Sequence, residues 1–371
     1  MKGMRNKLFL IAMSVLALTG CSNTETELDE VVVDLPAHGY ILFDTPVPTR
    51  GELVSDMNRN FGVMGYSWDY NDANDVWNTV KVQAKPNEFH KQKVTYDAAS
   101  NLHSYDARPA HTTALVPWKP NCKYSFFGYY PHESESNSAI TVSGANEEGT
   151  PYLNYTLPST PANMLDVMTA SLFNTDYKTA REVALNFEHR LAAVDIQMIN
   201  QNAKFGGKDV YVKLTNLKMN FTNLKYNKAK IWMDYSMGME RTVASTSNQK
   251  KSYTMSNSLT IAPTDLESGT LTIATTGNPL ILIPQEVDAT TQALKGTITF
   301  NLAYVDSNGN SITLNDAEVK PGAHTHDIDF GGDLAAKRKH IVQLTFTRDA
   351  VTVQIVPPSE WTDNDIDIEF D

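Results

Sequence analysis

Long stretches of the chain place apolar side chains at every second position. Between residues 191 and 198, for example, Val194 and Ile196 stand on either side of Asp195. The same period recurs over residues 298–304, 342–346 and 351–355. Because successive side chains of a β-strand point to opposite faces of a sheet, this period predicts strands with one buried face. We therefore expect Val194 and Ile196 to face a core and Asp195 to face solvent.

Shorter apolar runs, separated by turn-forming residues, indicate further β-strands along the whole chain. Further strand candidates are Gly39–Asp44, Phe61–Trp68, Tyr124–Tyr130, Asp209–Leu217, Leu271–Thr275 and Leu280–Ile283. The 342–346 and 351–355 runs are separated by four residues and indicate a hairpin. Helical periodicity is scarce, and only residues 163–172 suggest a turn or two. Many short strands punctuated by Gly, Pro, Asn and Ser predict an all-β protein built of antiparallel β-sandwiches.

The length of 371 residues is enough for two domains of ordinary size, each with its own core. An aromatic-rich first part ends with residues 164–170, and a new set of strands opens at Val183. We place the boundary near residues 176–182. The prediction is an N-terminal β-sandwich domain over residues 36–180, followed by a C-terminal β-sandwich domain with a tail strand over residues 181–371.

The first twenty residues have the form of an export signal. Basic residues precede an apolar run over residues 8–18, which is too short to span a bilayer and has the length of a signal-peptide core. Residues 18–21, Leu-Thr-Gly-Cys, match a lipobox, in which the cysteine thiol carries a diacylglycerol. We predict a signal peptide over residues 1–20, lipidation of Cys21 and a flexible tether over residues 21–35. Serine rather than aspartate follows the cysteine, which favours the outer membrane and the cell surface.

Net charge argues against one class of partner, and the cysteine content argues against stabilisation by disulfides. A formal net charge of -12 repels a phosphate backbone, so we expect no nucleic-acid partner. The two cysteines are Cys21 and Cys122. With Cys21 lipidated, Cys122 stays single, and we expect a small, partly buried apolar residue rather than a nucleophile. Burial, not a disulfide framework, must then stabilise the fold.

The sequence lacks the common motifs of catalysis and cofactor binding: there is no Gly-x-Ser-x-Gly, no phosphate loop, no Gly-x-Gly-x-x-Gly and no His-Glu-x-x-His. We predict no catalytic residue and no cofactor, so the protein is not expected to be an enzyme. His324-Thr-His326-Asp327 lacks a third ligand at a recognisable spacing and is interpreted as a solvated loop. Residues 69–75 have oxygen ligands at calcium-like spacing but no loop glycine and no terminal glutamate. No metal is expected.

Two aromatic clusters leave a choice between sugar binding and a core. The first consists of Trp68, Tyr70 and Trp77, and the second of Tyr124, Phe126, Phe127, Tyr129 and Tyr130. Exposed rings stack on sugars, whereas buried rings fill sandwich cores. In the second cluster rings stand on both faces, as in a strand covered on both sides. The core interpretation is preferred.

The order of several short motifs resembles a known family. They are the strand Tyr40–Asp44 after the tether, Thr49-Arg-Gly51, Phe61–Tyr66, Tyr124–Pro131, Asp166–Ala170, Phe187–Ala192 and Pro357–Trp361. Together with the lipobox, this order resembles the fimbrillins of Bacteroidales, which include shaft and tip pilins, over nearly the whole chain. The resemblance rests on the order of the motifs, since each is short and degenerate.

This resemblance implies two transthyretin-like β-sandwich domains in tandem, export as a lipoprotein and proteolytic maturation after an arginine. Arg50, followed by Gly51, matches the processed position. The family's maturation removes the first strand, here Tyr40–Asp44, and the groove left behind accepts a strand from a neighbouring subunit. At the other end, we expect Pro357 and Pro358 to interrupt the sheet and leave residues 361–371 as a semi-independent tail.

The tail itself has strand character: Ile366, Ile368 and Phe370 alternate with acidic residues, which suits insertion into a partner's groove. Because donor and acceptor surfaces differ, such a contact is head-to-tail and builds a filament. The expected function is therefore a stalk or tip subunit of a surface pilus that supports adhesion and biofilm formation, with other pilus subunits and a host or bacterial surface ligand as partners. An anchor subunit is a third role in the same filament. The alternative from a different class is a monomeric surface lipoprotein that binds glycans for an uptake system.

Overall fold

The computed structural model describes residues 39–44, 59–100, 102–105, 115–136, 138–180, 182–202, 204–264, 273–276, 279–289 and 291–361. Within these ranges almost all regular structure is β-strand, and the single α-helix among them, α1 (Trp77–Val80), is one turn long. The predicted all-β class is confirmed. The transthyretin-like assignment stays a prediction.

The strands are short, and most of the sequence candidates are among them. The first ten are β1 (Phe43–Asp44), β2 (Phe61–Asp69), β3 (Phe89–Asp97), β4 (Leu102–Ser104), β5 (Cys122–Tyr130), β6 (Ile140–Val142), β7 (Tyr152–Thr156), β8 (Met168–Thr175), β9 (Val183–Ala184) and β10 (Glu188–His189). The others are β11 (Ala192–Asn200), β12 (Tyr211–Phe221), β13 (Tyr226–Trp232), β14 (Met239–Val243), β15 (Lys251–Ile261), β16 (Ile273–Thr275), β17 (Leu280–Leu282), β18 (Lys295–Val305), β19 (Gly322–Asp329), β20 (Arg338–Phe346) and β21 (Val351–Glu360).

These strands form four larger sheets and the small pair β1-β9. A six-stranded sheet has the order β10-β8-β5-β2-β3-β4. A second sheet has the order β16-β11-β20-β21, with β17 also paired to β11, and two four-stranded sheets have the orders β15-β12-β18-β19 and β14-β13-β7-β6. Pairing is antiparallel except between β1 and β9 and between β11 and β20. The predicted hairpin is confirmed as β20-β21.

β5 shows why the six-stranded sheet needs two cores. Tyr124 and Phe126 on one face belong to the cluster that contains residues 39–44, whereas Phe127 and Tyr129 on the other face belong to the larger cluster of the rest of the chain. All four rings are fully buried. The expectation that this aromatic run is a strand covered on both sides is confirmed.

β11 corrects one face assignment. Val194 and Ile196 are fully buried, as the alternation predicts. Asp195 was expected to face solvent, and this is wrong, because it is only 5% exposed. Its Oδ2 lies 3.6 Å from the ammonium of Lys339, which is also buried. β11 lies inside its sheet and is covered on both faces. Its alternating side chains therefore face an apolar core on one side and a buried ion pair on the other.

Two local predictions fail for a common reason. Residues 163–172, the candidate helical segment, contain the end of a 3-10 turn (Pro161–Asn163) and the start of β8. His324-Thr-His326-Asp327, interpreted as a solvated loop, lies within β19. In both places pairing with another strand, β5 for β8 and β18 for β19, determines the structure, and such pairing leaves little trace in a short stretch of sequence.

The domain division stays a prediction. β7 lies before the predicted boundary at residues 180 and 181, and β13 lies after it. The two strands pair with each other in the sheet β14-β13-β7-β6. Strands from both sides of the boundary therefore share one sheet.

Five buried tyrosines make alkaline unfolding predictable. Burial raises the pKa of Tyr124 and Tyr253 to about 12, and it raises the pKa of Tyr66, Tyr129 and Tyr155 further still. An unfolded chain ionises its phenols near the ordinary value of 10.0. These folded-state pKa values are raised above the unfolded value. We therefore expect the stability that the five buried phenols contribute to be fully present below pH 10 and to be lost as the pH rises from there through the folded-state pKa values.

The measurement is an ultraviolet titration of tyrosinate followed together with circular dichroism. We expect the buried phenols to ionise only as the β signal disappears. Ionisation of all tyrosines in a folded protein would contradict the burial of these five rings.

Candidate functional site

Residues 39–44, which include the two-residue strand β1, form a segment that is held from both sides. On one side the amide of Ile41 donates to the carbonyl of Val116 at 2.8 Å. On the other side the amide of Val183 donates to the carbonyl of Leu42 at 2.7 Å, and β1 pairs in parallel with β9. The segment therefore bridges two parts of the chain that come much later in the sequence.

The side chains of this bridging segment alternate between a core and solvent. Ile41 is fully buried and Phe43 is 4% exposed, whereas Leu42 is 42% exposed. The Phe43 ring meets three aromatic rings edge-on, with centroids at 5.3 Å for Phe89, 5.8 Å for Tyr105 and 5.8 Å for Phe126. Without this segment an apolar floor would be open to solvent, and backbone groups on both sides would lose their partners.

The residues predicted for lipidation and processing cannot be placed against this segment. Cys21, Arg50 and Gly51 lie outside the described residues. Arg50 comes six positions after Asp44, the last residue of β1. Lipidation of Cys21 and cleavage at Arg50 remain predictions.

At the other end of the chain, β21 runs through Pro357 and Pro358 without a break. The prediction that these prolines interrupt the sheet is wrong. β21 is an edge strand, where a missing N–H removes no ladder hydrogen bond from a second neighbour. Its pairing with β20 accommodates the prolines through a register shift between Lys339 and Ile341.

Trp361, directly after β21, belongs to the core and not to a tail. Its side chain is 4% exposed, and its ring stacks on His189 with centroids 4.2 Å apart. Its backbone amide donates to the carbonyl of Lys337 at 3.0 Å. The prediction that Trp361 is the first residue of the tail is therefore wrong. Ile366, Ile368 and Phe370 lie outside the described residues, and their insertion into a partner remains a prediction.

A buried polar cluster surrounds the point where Trp361 is anchored. His189 Nδ1 lies 2.9 Å from Asp166 Oδ1, and both residues are buried. The guanidinium of Arg190, only 1% exposed, donates to Thr169 Oγ1 at 3.0 Å and to the carbonyl of Gly238 at 2.7 Å. Burial lowers the pKa of Arg190 to about 10. This cluster joins three of the sequence motifs, 166–170, 187–192 and 357–361.

Tyr235 connects this buried cluster to the protein surface. The Tyr235 ring has the Arg190 guanidinium carbon 4.6 Å from its centroid and the Lys337 ammonium 3.6 Å from it. Lys337 also pairs with Glu188, at 2.5 Å. Tyr235 is nevertheless 43% exposed. The cluster fixes the end of β21 and holds one exposed ring rigidly.

Sequence reasoning gave Asp166, His189 and Arg190 no role. The available signal was the polar Glu188-His-Arg190 between Phe187 and Leu191, since a buried charge needs partners. The sequence does not show which residues are the hydrogen-bond partners of His189 and Arg190, because these partners lie more than twenty positions away and are brought close only by the fold.

Residues 59–365 match the model of a family described as fimbrillin-like, which is well over half of the chain. The chain belongs to the fimbrillin-like family. Its fold is similar to that of a fimbrial protein from Bacteroides vulgatus, with a TM-score of 0.57 at 18% identity over 81% of this chain and 93% of that one.

Two further solved structures are more distantly similar. A proposed cell adhesion protein from Bacteroides ovatus gives a TM-score of 0.44 at 14% identity, covering 87% of this chain and 96% of that one. The fimbrial anchor protein Mfa2 from Porphyromonas gingivalis gives 0.31 at 12% identity, covering 87% and 96%. No curated protein matches the chain. Family membership makes this a pilus-related protein.

In this fimbrillin-like chain most rings considered for sugar binding are core residues. Trp77 is 2% exposed, and Trp68 is half-buried with its indole N–H donating to the Asp75 carbonyl at 2.8 Å. Tyr70 is the exposed member of the first cluster, at 41%. The second cluster fills both faces of β5. The core interpretation of the aromatic residues is confirmed apart from Tyr70.

The residues considered for metal or thiol chemistry are used structurally. His324 and His326 point inward from β19, and each ring stacks on Phe300, at 5.6 and 5.7 Å. Among the described residues no group of three or more His, Cys, Asp or Glu could hold a metal ion. Cys122 is buried, and burial raises the pKa of its thiol. The described part of the chain also contains no helix long and apolar enough to cross a membrane.

Proposed function

We propose that this chain is a structural, non-catalytic subunit of a surface pilus, a stalk or tip subunit polymerised by strand exchange. It is exported as an outer-membrane lipoprotein through Cys21 and cleaved between Arg50 and Gly51. Its β-sandwich domains, over residues 36–180 and 181–371, have a transthyretin-like topology. The filament supports adhesion and biofilm formation, with other pilus subunits as direct partners and a host or bacterial surface ligand beyond them.

The observation that carries this proposal is the bridging segment of residues 39–44. It is short, its apolar side chains lie in a core, and it is hydrogen-bonded on both sides. A cut at Arg50 would allow it to leave, and the remaining groove would present both an apolar floor and unpaired backbone groups. A strand from another subunit satisfies both needs at once, which is the physical basis of strand addition.

The donor in this scheme is the segment after Trp361. Ile366, Ile368 and Phe370 supply apolar side chains at the spacing with which Ile41 and Phe43 fill the core. Because the tail and the groove are different surfaces, each subunit gives at one end and receives at the other. The polymer is open and head-to-tail.

The test compares two tail variants that differ only in the face they alter. Replacing Ile366, Ile368 and Phe370 with asparagine removes the inserted side chains, and we expect electron microscopy of cells to show no filaments. The matched control replaces Asp365, Asp367 and Glu369 with asparagine, and we expect filaments to persist. Normal filaments from the first variant would overturn strand exchange by the tail.

Maturation and lipidation are tested separately on the same cells. We expect Arg50→Ala to leave a monomeric precursor, and N-terminal sequencing of wild-type filaments to begin at Gly51. Polymerised subunits with an uncut N-terminus would contradict the role of Arg50 alone. Cys21→Ala should abolish lipid labelling and release the protein from the membrane fraction, and full labelling of this variant would contradict the lipobox assignment.

A further inference from the structure

The last described residue of the chain, Trp361, is firmly anchored. Trp361 is buried and stacked on His189, and its amide is bound to the Lys337 carbonyl. The Lys337 side chain in turn lies over Tyr235. We call Tyr235, Met237 and Lys337 the tail-exit surface, since Met237 is in the same 3-10 turn as Tyr235.

The spacer between this exit and the inserted strand is short. Residues 362–365 separate Trp361 from Ile366, and an extended chain spans at most about 18 Å over that interval. If Ile366 enters the groove of a second subunit, the mouth of that groove lies within this distance of Trp361. The acceptor's surface around the groove is then brought against the donor at the tail exit.

We infer that the tail-exit surface is a second contact between neighbouring subunits, which docks against the rim of the groove in a second copy of this chain. This inference rests on the proposed strand exchange and adds a surface to it. Its partner is the rim formed by the segments that hold residues 39–44, namely 115–118 and β9.

The residues of this surface suit protein contact. Tyr235 is 43% exposed and Met237 is 42% exposed, although both are large and apolar. Tyrosine and methionine are enriched at protein interfaces. The Tyr235 ring is already held by Lys337 and Arg190, so little side-chain entropy is lost when a partner covers it.

The test asks whether this surface contributes to assembly beyond the tail. Met237→Asp and the double variant Tyr235→Asp/Met237→Asp are compared with Val287→Asp, whose side chain is similarly exposed at 44%. We expect about tenfold fewer filaments from the double variant, as for loss of an interface anchor, and wild-type numbers from the control. Met237→Asp alone should give an intermediate loss with an unchanged melting temperature.

Two further measurements identify the contact. A photo-crosslinking residue at position 237 should join two subunits, with the adduct in peptides around residues 115–118 or β9, and the same residue at position 287 should not. With a Gly-Ser spacer of eight residues inserted after Thr362, chains with and without the double variant should form equal numbers of filaments, because a long spacer no longer brings the two surfaces together.

The failure of this inference can be distinguished from failure of strand exchange. Normal filaments from both surface variants, while the triple asparagine variant of the tail forms none, would overturn the contact and leave strand exchange intact. Normal filaments from the tail variant would overturn strand exchange and this inference with it. Crosslinks from position 237 to other parts of a second subunit would overturn the assignment of the rim.

Discussion

Trp361→Ala is expected to lower the free energy of unfolding by about 3–5 kcal/mol, the cost of removing a large buried aromatic side chain. The Trp361 side chain is 4% exposed and stacks on His189 at 4.2 Å. Alanine would leave a cavity beside the Asp166–His189 hydrogen bond and would release the end of β21. The loss is therefore one of packing in the core, although the residue stands at the edge of the described chain.

This loss is measured by urea unfolding followed by far-ultraviolet circular dichroism, which reports on the backbone and not on tryptophan fluorescence. Trp361→Phe is the matched variant: it keeps a ring on His189, and the indole N–H that it lacks has no hydrogen-bond partner in the described part of the chain. We expect it to cost clearly less than alanine. Deleting residues 362–371 should leave the unfolding midpoint unchanged. Equal and small effects from Trp361→Ala and from this deletion would assign Trp361 to the tail.

Period-two alternation identified the strands for a physical reason. β18, β20 and β21 each have one apolar and one polar face, and a sheet that covers one core requires that pattern. The same reasoning assigned Val194 correctly and failed for Asp195, because alternation reports a difference between two faces and not whether the second face is covered. Lys339 is far from Asp195 in sequence, so only the parallel pairing of β11 with β20 brings the two together.

The sequence predicted the two parts of the candidate site, residues 39–44 and the region around Trp361, to different extents. The sequence predicted a strand over Tyr40–Asp44, of which the structure has only β1 (Phe43–Asp44). It placed Trp361 in a motif but treated this tryptophan as the start of the tail. Two prolines ahead of it suggested a break, and only its position on an edge strand explains why β21 continues. The cluster of Asp166, His189 and Arg190 could not be foreseen, since hydrogen bonds between distant motifs follow from the fold.

Val194→Asp is expected to cost about 3–5 kcal/mol, because it places a charge without a partner in the core. Val194 is fully buried, and its neighbours across the sheet are Leu280 and His340. Typical domains are stable by roughly 5–15 kcal/mol, so this change removes much of the available stability. We expect a large drop in the urea midpoint, and a normal midpoint would show that β11 does not face the core as described.

Asp195→Asn is the matched change on the opposite face, at a residue that is also buried. The asparagine can still accept the hydrogen bond from the Ile196 amide, now made at 2.7 Å, but it removes the carboxylate that faces the buried Lys339 ammonium. Because burial outweighs Lys339 at this carboxyl and raises its pKa, we expect the neutral asparagine to cost much less than Val194→Asp. The double variant Asp195→Asn/Lys339→Met removes both charges, and the double-mutant cycle measures the coupling between them.

The pH dependence of stability tests the balance between burial and the attraction of Lys339 at Asp195. Burial raises the pKa of Asp195 in spite of Lys339, so the folded protein takes up this proton at a higher pH than the unfolded chain does. Once protonated, the wild-type residue is neutral, like asparagine. Because the folded chain binds this proton more tightly than the unfolded chain does, the stability of wild type relative to Asp195→Asn should rise as the pH falls through the raised pKa. A fall in the stability of wild type relative to Asp195→Asn on acidification would show that the attraction of Lys339 outweighs burial at this carboxyl.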